Sequence, residues 1–327
     1  MEGGSNLIGK GYSDTHYLDA LYGLIQRLSL SNPKRQELLN EYNRIKAGNF
    51  GEKVVMNSLE QLQLPYQFYI FHDLYLSIES HIQIDILILT RYYAFIFEVK
   101  NIKGAIELTD NPSQLIRTLP DGEIHVFKSP EPQLEEYIYQ LQKFFQNKNI
   151  HIPVYGAIIF PFTSSFIKQS SNKTTVLQKN EIKPFLRRIV TKCDSITDDE
   201  LEYLRHSILD KHKEFIPYPL IERYNIPRED VSNGVICNKC NTLGMKRLSH
   251  YWRCPNCYSK SSKAHERAIY DYLTIINNKI SNEECRKFLN IKSVDQSYRM
   301  LKNMNLIKLG KTSRVKYMLP YLNYKSN

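Results

Sequence analysis

The sequence predicts a mixed α/β protein whose core runs helix, three strands, helix, strand. A small cysteine-built module and a helical module closed by a β-hairpin follow it. Three observations carry this reading. Residues 82–101, IQIDILILTRYYAFIFEVKN, hold two strand-like apolar runs rich in Ile, Val and Phe. Apolar residues recur at helical spacing before them, at Val55, Met56, Leu59 and Leu62, and after them, at Leu134, Ile138, Leu141 and Phe145. Four of the six cysteines form Cys237-x-x-Cys240 and Cys254-x-x-Cys257, separated by 13 residues.

The two runs, 82–90 and 93–100, read as a buried hairpin turning about Arg91 and Tyr92. Paired residues then have numbers summing to about 183, so Asp85 faces Glu98 and Gln83 faces Lys100, all on one face. Opposed side chains have Cβ atoms roughly 5 Å apart, and two carboxylates so placed among apolar residues repel each other and resist desolvation. A positive group is expected between them. A hard divalent cation such as Mg²⁺ or Mn²⁺ fits, because it takes oxygen ligands and keeps positions open for water and phosphate. Lys100 could then position a metal-bound water or stabilise developing charge. An isolated Glu-x-Lys is an ordinary solvated strand face. What argues otherwise is Asp85 at the opposing position, the burial expected of both flanks, and a turn without Gly or Asn.

These residues resemble a family. Asp85 followed by Glu98-Val99-Lys100 is similar to the D…(D/E)-x-K core of the PD-(D/E)XK nucleases, and QID…FEVKN resembles the nuclease-related domain (NERD) branch. The resemblance spans residues 48–160 and has further parts in order: Gly48-x-x-Gly51-Glu52, Gly104, and Pro130 to Gln133, where Ser129 stands in place of the usual Asn. Gln133 and Tyr137 match the Q-x-x-x-Y of RecB-like exonucleases. Ile84 replaces the Pro of the superfamily's name. The resemblance implies a restriction-endonuclease-like αβββαβ core. It also implies that Glu52, Asp85, Glu98 and the Val99 carbonyl hold Mg²⁺ or Mn²⁺, that Lys100 positions the attacking water, and that Gln133 and Tyr137 support the substrate or the lysine. From position alone, Glu52 would be a dipole-favouring surface residue of a first helical turn.

Bulk properties set the remaining bounds. At 327 residues the chain has room for several modules. It has no apolar run long enough to cross a bilayer and no charged segment leading into an apolar one at its start. Paired C-x-x-C motifs suit a reduced compartment, so a soluble, cytoplasmic protein without membrane contact is expected. The net charge of +10 is unevenly placed: from Gly234 onward 18 Lys and Arg stand against 5 Asp and Glu, while the preceding residues carry 26 against 29. A basic last third suggests that it holds a polyanion, most simply nucleic acid; the alternative is a solubility charge.

Taken in order, residues 1–47 read as an N-terminal segment with helices over 15–28 and 33–47, covering the core or meeting a protein partner or a second copy. The nuclease-like domain spans 48–215. It holds a helix over 51–62 and a strand over 66–78, in which His72 and Asp73 read as loop polar groups near a bend. Extended segments over 102–118, a helix over 129–147 and a strand over 154–160 come next. A strand over 174–177 and helices over 180–189 and 197–212 extend the domain, with Cys193 inert between the helices. Residues 216–233, with prolines 217, 219 and 227, read as a linker.

In 234–260 the four cysteines suit tetrahedral Zn²⁺, closed and therefore structural, in preference to a redox pair. Lys239, Lys246, Arg247, Trp252 and Arg253 make its surroundings basic and partly aromatic. Residues 261–327 resemble a winged helix-turn-helix. It has a first helix over 264–276, a capping box at Ser281-x-x-Glu284, a recognition helix over 293–305, and a wing over 306–319 turning at Gly310-Lys311. In the recognition helix Val294, Tyr298 and Leu301 are expected to pack, leaving Gln296, Arg299, Lys302 and Asn303 polar, with Gln296 and Arg299 suited to base edges. Lys311, Arg314 and Lys316 on the wing would meet phosphate. A protein-binding role for this module remains open. The expected activity is metal-dependent phosphodiester hydrolysis, with DNA favoured as substrate. The alternatives are a non-catalytic DNA-binding regulator on the same scaffold and an RNA-processing nuclease.

Overall fold

The structure is a computed structural model that describes residues 6–12, 16–191, 196–311 and 315–322. Cys193 and Arg314 lie outside the described residues. The chain divides into two compact units, one from Met1–Asp14 and Lys46–Phe215, the other from Thr15–Ile45 and Ile216–Asn327. It opens with β1 (Asn6–Lys10), α1 (His16–Arg27) and α2 (Lys34–Leu59). The sequence reading broke α2 at Gly48 and Gly51, but the helix runs through both. Ordinary helix geometry tolerates glycine at a modest cost, and at Gly51 packing demands it: a Cβ there would lie 2.9 Å from the Asn101 Cβ.

The first unit continues with β2 (Phe68–Ser77), β3 (His81–Thr90), β4 (Ala94–Val99), β5 (Gly104–Asp110), β6 (Ser113–Thr118) and β7 (Ile124–Lys128). After these come α3 (Glu131–Gln146), β8 (Val154–Phe160), β9 (Ser165–Gln169), β10 (Thr175–Gln178), α4 (Lys179–Arg188) and α5 (Asp198–Lys211). The main sheet has the order β1-β2-β3-β4-β8-β10. Strands β2, β3 and β4 pair antiparallel, and β8 joins β4 in parallel after α3 crosses over. That is the expected helix, three strands, helix, strand.

One face of this sheet packs Ile70, Ile86, Ile88, Phe95 and Phe97 against Val55, Met56 and Leu59 of α2 and Ile182 and Leu186 of α4. On the other face Phe71, Leu87, Leu89 and Ile96 meet Leu134, Leu141 and Phe145 of α3 and Leu201, Leu204 and Ile208 of α5. Burying both faces explains why the hairpin runs are continuously apolar rather than alternating. A second sheet, β7-β6-β5-β9, takes three strands from between β4 and α3 and a fourth, β9, from after β8, which pairs in parallel with β5 starting at Gly104. This residue has φ +112° and would place a Cβ 2.7 Å from the Thr118 carbonyl oxygen, so only glycine fits.

The hairpin turn is tight despite lacking Gly or Asn, because Thr90 takes over their work. Its amide donates to the Tyr93 carbonyl at 2.9 Å, and its hydroxyl accepts from the Tyr92 and Tyr93 amides at 3.0 and 2.9 Å. The register is the expected one, with Ile86 opposite Phe97 and Leu89 opposite Ala94.

Beyond Asp73 on β2, His212 accepts the Tyr75 amide at its Nδ1 (3.1 Å). Burial, with the Lys10 charge adding to it, pushes this imidazole down to about 4 from its ordinary 6.5. The folded state holds it neutral, whereas the unfolded chain gains a proton once the pH drops below 6.5. Stability is therefore expected to be fully present above that value and to fall as pH goes from 6.5 to about 4. The slope should reach about 1.4 kcal/mol per pH unit. Urea midpoints of wild type and His212→Gln across this range would show it; equal slopes for the two would refute it.

The second unit adds α6 (Leu220–Tyr224), β11 (Lys246–Arg247), β12 (Trp252–Arg253), β13 (Lys260–Ser261), α7 (Ala264–Asp271), β14 (Ile280–Ser281), α8 (Asn282–Leu289), α9 (Val294–Lys302), β15 (Ile307–Leu309) and β16 (Lys316–Met318). Strands β11, β12 and β13 form one antiparallel sheet, and β14, β16 and β15 another. Ser281 and Glu284 make the expected capping box on α8.

Two expectations are corrected here. Residues 216–233 are no linker: Tyr218, Leu220, Tyr224, Ile226 and Val231 are buried in this unit's core, beside Trp252, Phe288 and Leu301. Prolines mimic a linker signature, but the apolar residues between them have a core to enter. Nor is 1–47 one separate segment, since Tyr17, Leu21, Leu24 and Ile25 of α1 are buried in that same core. The apolar face offered above to a protein partner is thus covered within the chain.

Candidate active site and metal-binding cysteines

Asp85 sits where the β2–β3 ladder is irregular. Paired residues run through His72 with Ile86 and resume at Leu74 with Ile84, skipping Asp73 and Asp85 between them. Asp73 has φ +52°, an uncommon conformation for a residue with a side chain. The apolar pattern shifts at the same point: Ile82 and Ile84 face the core that holds Leu87 and Leu89, while Ile86 and Ile88 face the other. Such irregularities re-aim side chains. Here the Asp85 carboxylate turns to the end of β4 and accepts the Val99 amide at 2.8 Å.

Glu98, one residue earlier on β4, is 1% exposed. Its Oε1 accepts from Lys100 Nζ at 2.5 Å and from Gln133 Nε2 at 3.1 Å. Gln133 also donates to the Tyr137 hydroxyl at 3.2 Å, as their spacing of four along α3 allows. The second oxygen of Glu98 is buried and has no hydrogen-bond partner among the described residues.

The charges interact strongly. Burial raises Asp85 well above the ordinary carboxylate range, and the Glu98 and Glu52 charges push it further while Lys100 opposes them. Burial also raises Glu98, against the pull of Lys100. Burial works against the charge on Lys100, but Glu98 and Asp85 more than offset it, so the ammonium is held above its ordinary value. Tyr137 is raised, chiefly by burial.

Glu52, from α2, acts electrostatically on both carboxylates. Its direct contact is with His72, whose Nε2 lies 2.8 Å from Glu52 Oε2. His72 is 2% exposed, rests on the Tyr12 ring at 4.7 Å, and has a buried Nδ1 without a partner among the described residues.

Asp85, Glu98, Lys100, Gln133 and Tyr137 are thus drawn together by the fold, and Glu52 joins them through its charge. The Gln83 side chain does not join them, its amide donating to Asp73 at 2.9 Å, although its backbone hydrogen-bonds Tyr137. Ser129, standing where the family has Asn, is buried, bonds Glu131 Oε2 at 3.1 Å and accepts the Glu131 amide at 3.3 Å. Asn101 ties the lysine motif to α2 by donating to the Ala47 carbonyl at 2.7 Å.

Two residues near the site were missed from the sequence. His72 read as a loop group, although a β2–β3 register would have put it opposite Ile86, beside Asp85. Lys10 donates to the carbonyls of His72 and Asp73 at 2.9 and 2.6 Å, and no pattern in the chain announces that contact.

In the second unit the sulfurs of Cys237, Cys240, Cys254 and Cys257 all lie within 4.8 Å of one another. The pairs Cys237–Cys257 and Cys240–Cys254 are 3.6 and 3.5 Å apart. Tetrahedral thiolates about 2.3 Å from one Zn²⁺ would be separated by a little under 4 Å, so the set fits that ion. Each motif closes on a residue of positive φ, Asn241 at +58° and Tyr258 at +59°.

Around them Lys246 and Arg253 are exposed, while Arg247 is half-buried with its guanidinium 5.5 Å from the Trp252 ring. On α9 the phase differs from the expected one. Ser297, Met300 and Leu301 are buried, whereas Val294 and Tyr298 are exposed. Arg299, Lys302, Lys311 and Lys316 are exposed and Gln296 is half-buried.

A mixed α/β core that brings Asp85, from within β3, to Glu98 and Lys100 at the end of β4 is consistent with a nuclease-like core. Residues 47–161 match the family model of the nuclease-related domain. This supports a nuclease-like function. No curated protein and no solved structure matches the chain. Among the described residues no helix is long and apolar enough to cross a membrane.

Proposed function

We propose that the chain is a metal-dependent nuclease that hydrolyses phosphodiester bonds, with DNA as the favoured substrate and the second unit holding the nucleic acid. The observation that carries this reading is the state of Glu98. One oxygen is held by Lys100 and Gln133, while the other is buried and unpartnered beside a second carboxylate that burial and charge drive toward protonation. Most buried side-chain polar atoms are paired. An arrangement that leaves this oxygen orphaned next to Asp85 suits a divalent cation.

Glu52, Asp85, Glu98 and the Val99 carbonyl would hold Mg²⁺ or Mn²⁺, which when bound supplies Lewis acidity and an acidified water. Lys100 keeps a positive charge at the edge of the carboxylate pair, where it can orient water and balance charge on a scissile phosphate. Gln133 fixes Glu98 and, through Tyr137, holds the lysine's surroundings in place. His72 orients Glu52. Arg299, Lys302, Lys311 and Lys316 supply phosphate or base contacts in a module of winged-helix type. The four thiolates hold a structural Zn²⁺.

The test is cleavage of labelled duplex DNA, single-stranded DNA and RNA with Mg²⁺ and with Mn²⁺, binding being followed in the same samples. Cutting of DNA in preference to RNA is expected. Binding to all three without cutting any under either metal would remove the catalytic reading and leave a binding protein.

For the cysteines, one zinc per chain is expected. A strong chelator should release it and expose Trp252, which is buried against this unit's core, so that its emission shifts to the red. Unchanged emission on chelation, or a metal-free protein as folded as the loaded one, would contradict the assignment.

A further inference from the structure

We infer that the outer face of the β11–β12–β13 sheet is a track for single-stranded nucleic acid, an inference that rests on the nucleic-acid reading above and names its substrate class. Lys246 pairs with Arg253 across β11 and β12, and Arg253 pairs with Lys260 across β12 and β13. Directly paired residues share a face, so three cations stand in a row across the strands, about 4.8 Å from one to the next. All three are exposed, and among the described residues no carboxylate forms an ion pair with any of them. Like charges placed opposite each other destabilise a sheet. A row of three is relieved by a polyanion laid across it. The other face of the same sheet carries Trp252, which is buried.

Two tyrosines flank the row. The Arg253 guanidinium lies 5.3 Å from the Tyr258 ring, and the Lys260 ammonium 5.1 Å from the Tyr251 ring. Tyr258 is the more telling. It follows the last cysteine of its motif at φ +59°, and the equivalent position of the first motif is Asn241 at +58°. Asn takes this conformation readily, whereas a bulky aromatic is strained in it. Tyr258 gains little burial in return, since it is 65% exposed and its ring meets the Arg253 guanidinium. An exposed ring held beside a row of cations is the pairing that single strands use, bases stacking on the ring while phosphates meet the charges. A duplex keeps its bases stacked on each other and offers the ring no free face.

The experiment uses the full-length zinc-loaded protein and fluorescence anisotropy with labelled oligo-dT and with a duplex of equal length. Tyr258→Asn restores the residue type of the first motif and so preserves its geometry; zinc content and thermal melting check this. The expected result is about a tenfold loss of oligo-dT affinity with duplex affinity unchanged. The triple variant Lys246→Gln, Arg253→Gln, Lys260→Gln should lower the slope of log affinity against log salt for oligo-dT by about 2, at ~0.7 for each lost phosphate contact. Wild-type oligo-dT affinity in Tyr258→Asn, an equal loss on the duplex, or an unchanged salt slope in the triple variant would each overturn the inference. Wild-type protein that shows these binding effects but cuts nothing sinks the nuclease reading alone. Cleavage with binding indifferent to these substitutions sinks this inference alone.

Discussion

Lys100→Ala should lower the cleavage rate by about 10²- to 10³-fold, the scale on which removing one preorganised charge-stabilising group acts. Nucleic-acid affinity should stay within a few-fold of wild type. The expectation follows from position. Lys100 Nζ is 2.5 Å from Glu98, and its charge also acts on Asp85, so the side chain spans the carboxylate pair. Removing it takes the nearest cation from both. Burial already drives Glu98 and Asp85 toward protonation, and without Lys100 that tendency grows. The variant should therefore respond more weakly to added metal and need higher pH to recover any activity. Lys100→Arg is not expected to rescue it, because the planar guanidinium replaces a compact point charge in a half-buried space. Single-turnover rates at saturating metal decide the matter. A Lys100→Ala protein that cuts as fast as wild type would end the assignment of this site.

The second large effect concerns the unit that holds the zinc motif. Asp271→Ala should destabilise it by about 3–5 kcal/mol, a large part of the ~5–15 kcal/mol that a typical domain possesses. Arg27 and Asp271 are both almost wholly buried. The Arg27 Nε and Nη2 donate to Asp271 Oδ2 at 3.0 and 2.8 Å, and Nη1 donates to the Ser232 and Gly234 carbonyls at 3.1 and 3.0 Å. The guanidinium lies 4.6 Å from the Phe288 ring, and Arg267 donates to the other Asp271 oxygen at 2.8 Å. Burial alone depresses the Arg27 pKa, and the neighbouring carboxylate opposes that. Deleting Asp271 leaves a buried cation without its counterion. Deleting both charges, as in Arg27→Met with Asp271→Ala, should cost less than the sum of the single changes. Urea unfolding followed at Trp252, the chain's single tryptophan, reports on this core. A loss under about 1 kcal/mol in Asp271→Ala would show that water reaches Arg27 and that the pair is not what holds the helices together.

Local chemistry settled much of this protein in advance. The hairpin follows from two apolar runs, and its register from the two-residue turn that joins them, since both faces are buried and the apolar pattern alone would allow a slip. The capping boxes at Thr197 and Ser281 and the two cysteine motifs are also local, each using residues three apart on one turn. Asp85, Glu98 and Lys100 were legible from the hairpin register, whereas Gln133 and Tyr137, neighbours by helical spacing, were brought to the hairpin only by the family resemblance.

What needed the tertiary structure is what depends on contacts remote in sequence. Glu52 is oriented by His72, twenty residues on; Gln83 turns to Asp73 instead of facing Lys100; and α9 shows Tyr298 to solvent while burying Met300. The prolines of 216–233 looked like a linker because a local pattern cannot say whether a core waits for Leu220 and Tyr224. Arg27 and Asp271 lie 244 positions apart, and no periodicity relates them. Backbone geometry and hydrogen bonding act over a few residues and can be read along the chain. Burial and the pairing of charges depend on which surfaces meet, and only the folded chain decides that.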